Sequence, residues 1–220
     1  ERGVLPETML NFLALLGWSL DDKTEIMSRQ ELIDNFSLER VSRTAAIFNH
    51  EKLDWMNGVY IRNLSLEDFT RRALPFLEHD LPAEVKRPLS IEYLRQIMPL
   101  VQERARTLSE VTELTDFFFV DEIEHDAALL IGKGMDQETA VRALEVARER
   151  LGELETFDTE TLEALLRPLA VELGLKTGQL FGTLRVATPG RTAAPPLFQT
   201  MAVLGKEQCL KRIEAALDKL

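Results

Sequence analysis

Residues 159–174 read T-E-T-L-E-A-L-L-R-P-L-A-V-E-L-G, with leucines at 162, 165, 166, 169 and 173. Steps of three and four place these leucines on one helix face, the stripe a helix buries against its neighbours. Gly174 stands where that helix should stop, since glycine closes a helix end without steric cost. The same spacing recurs outward from this stretch. Upstream it runs through Ala140, Val141, Leu144 and Leu151, through Ile91, Leu94, Ile97, Met98 and Val101, and through Phe69, Ala73, Phe76 and Leu77. It reaches back to Leu10, Leu13, Ala14 and Gly17, and forward to Leu210, Ile213 and Leu217. No stretch alternates with period two, so the class is all-α.

Local signals divide the chain. Ser28 with Glu31, Ser65 with Asp68 and Thr107 with Glu110 have the capping-box spacing, in which a hydroxyl satisfies an orphan N–H at a helix start. Gly17, Gly152 and Gly205 mark further helix ends, and Asn57-Gly58 is expected to end a helix. Pro99 and Pro168 lie inside helical patterns and predict kinks or breaks. Phe117-Phe118-Phe119-Val120 fits a short strand or a buried linker, and residues 187–196, A-T-P-G-R-T-A-A-P-P, form the clearest loop.

With 220 residues, 45% hydrophobic and 29% charged, the chain allows one large domain or two to three small ones and excludes a disordered polymer. A single cysteine, Cys209, excludes a disulfide scaffold. No apolar run approaches the roughly 20 residues of a membrane span, and the first residues lack a basic signal-peptide start. A cytoplasmic setting follows as the expectation. The net charge of -11 argues against a nucleic-acid partner when taken alone. Its distribution qualifies that. Residues 85–107 hold five bases against two acids, 173–206 hold four bases and no acid, and 110–163 hold 16 acids and four bases. Basic stretches set apart from acids could hold a polyanion on one face, while composition alone favours ordinary solvated faces.

Catalytic chemistry is not offered. His50, His79 and His125 are scattered without a second ligand at metal spacing. Glu124-His125-Asp126 reads as a solvated turn, and Cys209 as a packed thiol without a triad. Ile131-Gly132-Lys133-Gly134 lacks the spacing and the strand of a phosphate loop. Trp18, Trp55, Tyr60 and Tyr93 read as core packing, with base stacking as the alternative.

Three segments carry a resemblance. They are L-P-E-T-M-L-N-F-L-A-L-L-G-W-S (5–19), F-S-L-E-R-V-S-R-T-A-A-I-F-N-H-E-K-L-D-W-M-N-G-V-Y-I-R (36–62) and G-Q-L-F-G-T-L-R-V-A-T-P-G-R-T-A-A-P-P-L-F-Q-T-M-A-V-L-G-K-E (178–207). In this order they resemble the C-terminal half of bacterial-type glutamyl-tRNA synthetase; residues 93–108 fit more loosely. The resemblance implies a helical stem-contact region over 1–63 and two small helical anticodon-binding domains over 64–128 and 129–220. The family's class I catalytic half, with its H-I-G-H-like and K-M-S-K-S-like motifs, has no counterpart in this sequence. The chain is therefore expected to begin just past the active site and not to aminoacylate by itself. No catalytic residue, metal ligand or cofactor is expected here; ATP and Mg²⁺ belong to the parent enzyme. The implied partner is tRNA(Glu), with no membrane or DNA, and the chain is expected to be a monomer.

The resemblance also distributes roles. Arg104 aligns with an arginine that discriminating members use on the last anticodon base. Glutamate anticodons end in C, whose O2 and N3 accept from a donor-only guanidinium; glutamine anticodons end in G, whose N1–H and N2–H₂ oppose it. Arg185 aligns with an arginine near the anticodon bases, and Leu197 with a loop residue that packs on them. Ala194 stands where the family often has threonine or serine, which removes one hydroxyl contact. Arg40, Arg43 and Lys52 are expected on the RNA backbone or as plain surface charges. Arg95, Arg106 and Arg191, from the two basic stretches, are expected on the backbone as well. An all-α interaction module that ignores RNA is the competing reading, and a stand-alone helical enzyme lacks a cluster of convergent polar groups.

Overall fold

The computed structural model describes residues 2–42 and 47–220. Among them are twelve α-helices, two 3₁₀ turns and no strand. The chain divides into two compact units, residues 1–80 with 88–113, and residues 81–87 with 114–220. The boundary expected at 63/64 falls inside the first unit.

The first unit holds α1 (Pro6–Leu15), α2 (Arg29–Asn35), α3 (His50–Arg62), α4 (Leu66–Asp80) and α5 (Ile91–Val101). The short α6 (Glu110–Thr115) runs across the boundary in sequence. Helix α1 lies against α2 and α3, and α4 against α5. The Ser28 box forms in full: Glu31 N–H donates to Ser28 Oγ and Ser28 N–H to the Glu31 carboxylate. Ser65 caps α4 through Asp68 N–H at 3.1 Å. The Thr107 box does not form, because the Glu110 carboxylate takes the N–H of Arg106 instead.

Helix α1 corrects the periodicity. Leu10 and Leu13 are about half exposed, and the buried face is Thr8, Asn11 and Phe12. Polar pairing decides this. Asn11 Oδ1 accepts Met27 N–H at 2.8 Å, and the Tyr60 hydroxyl stands 2.7 Å from the same oxygen. Thr8 Oγ1 donates to Asn57 Oδ1 at 2.9 Å. A hydrophobic count cannot see a buried face that is set by polar pairing inside the unit.

The second unit holds α7 (Ala127–Leu130), α8 (Gln137–Glu153), α9 (Thr159–Glu172), α10 (Thr177–Ala187), α11 (Leu197–Leu204) and α12 (Lys206–Leu217). The leucine face of α9 is buried as expected: Leu162, Leu166 and Leu169 share a core with Leu144, Leu151, Leu180, Leu184, Met201 and Ile213. Gly174, at φ +70°, ends α9. Its N–H donates to Val171 O, and Leu175 N–H to Ala170 O, the two bonds of a Schellman close. Gly152, by contrast, lies inside α8. Neither Pro99 nor Pro168 breaks its helix, and Pro75 sits inside α4 as well. Each costs one backbone bond, and burial of the apolar faces around it keeps the helix continuous. The phenylalanine run is no strand: Phe117 and Phe118 are buried within a 3₁₀ turn, Asp116–Phe118.

Candidate nucleic-acid interface

In the first unit the candidate cations differ in how far their charge is already spent. Arg104 is exposed on the turn after α5, not within the helix, with its N–H on Val101 O. Arg95 is exposed on α5 itself. Among the described residues, neither guanidinium has a hydrogen bond or ion pair. Arg106 is exposed with Nε 3.6 Å from Glu110 Oε1, so it is partly compensated. Lys52, on α3, meets Glu25 at 2.5 Å. Arg40 is used by the fold: Nη2 donates to Ser19 O and Leu20 O at 2.7 and 2.8 Å, with the guanidinium 5.4 Å from the Trp18 ring. Arg43 lies outside the described residues.

The turn that carries Arg104 is held from below by a side chain the sequence reading placed elsewhere. Asn57-Gly58 does not end α3 but lies inside it. Asn57 is fully buried; its Oδ1 accepts Leu5 N–H at 2.8 Å and its Nδ2 donates to Arg106 O at 2.6 Å. Gly58 lies beside the same turn: a Cβ there would stand 3.6 Å from Ala105 O and from the Arg106 Cα, an ordinary contact distance. At the end of α5, Gln102 Nε2 donates to Ile61 O and Leu64 O, both at 2.9 Å. Arg104 thus sits on a rigid turn with its charge unspent.

In the second unit, Arg191 and Ala194 lie on the loop of residues 188–196 between α10 and α11, flanked by Arg185 in the last turn of α10 and Leu197 at the start of α11. Arg185 Nη1 donates to Ala194 O at 3.0 Å and Pro195 O at 2.7 Å. Arg191 pairs with Asp116 at 2.7 Å and lies 5.2 Å from the Phe117 ring. Ala194 is buried, so its small methyl suits the position. Leu197 begins α11 with its side chain in the unit's core, 5% exposed, and offers no apolar shelf to a base. What the loop presents to solvent is Thr192, Ala193 and Pro196. Both arginines therefore help to hold the loop, and its tip is what stays exposed. Thr192 carries the hydroxyl that Ala194 lacks.

The aromatic residues divide similarly. Trp18 is buried, and burial raises the pKa of Tyr60, whose hydroxyl stands 2.5 Å from Met27 O. Trp55 departs from core packing: it is 47% exposed, one helical turn from Lys52 on α3. Glu124-His125-Asp126 forms no cluster. Asp126 caps α7, and His125 Nε2 stands 3.0 Å from Ala187 O, with burial holding its pKa below the usual imidazole value. Burial pushes the Cys209 thiol up to about 12, which leaves it inert. Among the described residues no group of three His, Cys, Asp or Glu could hold a metal ion, and no helix is long and apolar enough to cross a membrane.

Comparison with known proteins follows this geometry. Residues 68–217 match the anticodon binding domain family, and residues 1–55 match the catalytic domain family of class I tRNA synthetases (E and Q). A glutamate–tRNA ligase from Dehalococcoides mccartyi strain CBDB1 is 55% identical over 220 residues, covering all of this chain and 45% of its own length. One from Roseiflexus castenholzii is 52% identical over 221 residues, with 44% of its length covered. The chain thus spans less than half the length of these curated relatives. Among solved structures, a glutamate tRNA ligase from Elizabethkingia meningosepticum matches 99% of this chain and 42% of its own, at 29% identity and a TM-score of 0.86.

Proposed function

We propose a tRNA-reading function for this chain, which belongs to the anticodon binding domain family and corresponds to the C-terminal half of a bacterial-type glutamyl-tRNA synthetase. The observation that carries the reading is the family match over residues 68–217, which contains both Arg104 and the loop at 188–196. The partner is tRNA(Glu). Arg104 reads the last anticodon base: an unspent donor fork on a rigid turn accepts C and leaves G with opposed donors, a penalty of about 1–3 kcal/mol. Arg95 and Lys52 meet backbone phosphates, which position the RNA without reading it. The exposed tip Thr192–Ala193 offers backbone groups and one hydroxyl to splayed bases.

The whole ligase joins glutamate to tRNA with ATP and Mg²⁺. Residues 1–55 match the catalytic domain family; this reading places the ATP and Mg²⁺ chemistry in the rest of the ligase, so that this chain alone does not aminoacylate. The three-part organisation at 1–63, 64–128 and 129–220, a cytoplasmic setting and a monomeric state belong to the same reading. The interaction-module alternative draws no support from the family match.

A titration tests it. The chain is mixed with tRNA(Glu), and with the same tRNA whose last anticodon base is changed from C to G, at two salt concentrations. Tighter binding of the C form, weakened by salt, is the expected result. Equal affinity for both forms removes the role of Arg104, and no binding at low salt removes the tRNA reading for this chain.

A further inference from the structure

We propose that Arg212, which cannot touch RNA, is the positioning residue that sets the loop at 188–196 for reading the anticodon; this rests on the tRNA-reading function above. Arg212 lies on α12 and is 2% exposed, the largest of the fully enclosed side chains. Its Nη1 donates to Thr188 O at 2.8 Å, at the first residue of the loop. Its Nη2 donates to Phe117 O at 2.7 Å and Val120 O at 2.6 Å. One guanidinium therefore ties the start of the loop to the segment 116–120. The same segment supplies Asp116 to Arg191 at the loop's middle, and its Phe117 ring lies beneath that guanidinium. Arg185 closes the far end on Ala194 and Pro195. Thr188 adds a bond of its own, Oγ1 to Leu184 O at 2.8 Å.

Burying a cation is costly unless its donors are met, and an apolar side chain would serve a plain core at least as well. Here Nη1 and Nη2 fan out to two separate pieces of chain. A planar, multi-donor group does that, and a lysine ammonium does it less well. The consequence is a loop whose tip, Thr192–Ala193, meets RNA without having to be ordered first, which spares the ordering penalty on binding. Gly190 shows how closely the loop is seated: its φ is +79°, and a Cβ would stand 3.3 Å from Glu124 O and from Ile123 Cδ1. None of the capping, periodicity or charge signals in the sequence separates Arg212 from its exposed neighbour Lys211.

The test substitutes two sites, the first as Arg212→Lys and Arg212→Gln, the second as Gly190→Ala. The second displaces the loop without altering any arginine, and carries the test if the first fails to fold. Each is titrated with tRNA(Glu) and with the same tRNA bearing three replaced anticodon bases, across a salt series. Circular dichroism reports the helices, and amide exchange over 188–196 reports the loop. The expected result is unchanged helix content, faster loop exchange, and an anticodon preference reduced about tenfold, one ordering penalty of about 1.4 kcal/mol. The slope of affinity against salt stays as in the wild type, since no phosphate contact is lost. Arg212→Lys keeps more of the preference than Arg212→Gln, because an ammonium still meets part of the carbonyl set. A wild type with no anticodon preference overturns the tRNA reading and this proposal with it. A wild type with preference whose variants keep it in full, despite faster loop exchange, overturns the role of Arg212 alone.

Discussion

Helix α5 with its following turn, in the first unit, and the loop at 188–196, in the second, present arginine in opposite ways. In the first, Arg104 and Arg95 extend from a turn and a helix with their donors unspent, and the rigidity comes from neutral groups beneath them, Asn57 and Gln102. In the second, Arg185, Arg191 and Arg212 spend their donors on the protein itself, and what remains exposed is the loop tip. A guanidinium can read a base or shape a reader, and the sequence shows the residue without its use. Removing an unspent arginine should alter recognition and leave folding alone. Removing a spent one should alter both.

The largest expected effect falls on the support of the first unit. Asn57→Leu leaves Leu5 N–H and Arg106 O without their partner in a buried place, at a cost of about 2–4 kcal/mol. The urea midpoint should fall accordingly, and the turn bearing Arg104 should exchange its amides faster. An unchanged midpoint would mean that the turn is held by Gln102 and packing alone. Next comes Arg185→Met, which orphans the carbonyls of Ala194 and Pro195 for about 1–3 kcal/mol. Stability and anticodon preference should drop together. A loss of preference at constant stability would place the Arg185 guanidinium on RNA and collapse the contrast between the units.

Arg104→Ala is the counterpart. Stability should stay within about 0.5 kcal/mol, as for an exposed residue, while the preference for C over G falls about tenfold. A loss of stability with the preference intact would make Arg104 a structural residue.

The fold was legible because helix periodicity and capping are local. The leucine face of α9, the Ser28 box and the glycine stop at 174 each depend on residues within one or two turns. The site was legible only as a set of residue types. The sequence pointed to Arg104, Arg185 and Ala194, and could not say that Ala194 would be buried, or that Arg185 would turn back on its own loop. Those facts depend on bonds across eight or more residues. Asn57 was misread for the same reason. As a local signal Asn-Gly favours a chain turn, but in α3 the asparagine pairs with α1 and the 105–106 turn.

Proton linkage gives a smaller effect, confined to the second unit. His125 is half-buried beside Ala187, where α10 ends, and its pKa lies below the ordinary imidazole value of about 6.5. Burial is the main cause, with Arg212 and Lys219 adding repulsion; Asp121, Glu122, Glu124 and Lys211 line the same cavity. The unfolded chain takes up the proton first. Stability from this group is therefore full above that ordinary value and declines as pH falls through it toward the folded value. Melting temperatures at pH 7.5 and 5.5 should differ less for His125→Gln than for the wild type. An identical difference would assign the acid sensitivity to other groups.

The smallest effect tests the contrast at its weakest member, Lys52, whose ammonium is neither free nor buried. Its contact with Glu25 at 2.5 Å is a partly exposed pair, worth at most about 1 kcal/mol to the fold. Lys52→Ala and Glu25→Gln should therefore look alike in stability. They should differ in sign towards RNA. If Lys52 meets a phosphate, Glu25 competes for the same ammonium. Lys52→Ala then weakens every tRNA to a similar degree and lowers the salt slope by about one counterion. Glu25→Gln strengthens binding, because the lysine no longer leaves a partner and an anion is removed from the RNA's approach. If both substitutions leave tRNA affinity unchanged, Lys52 belongs with Arg40 among the cations spent on the fold, and the unspent set of the first unit contracts to α5 and the turn that follows it.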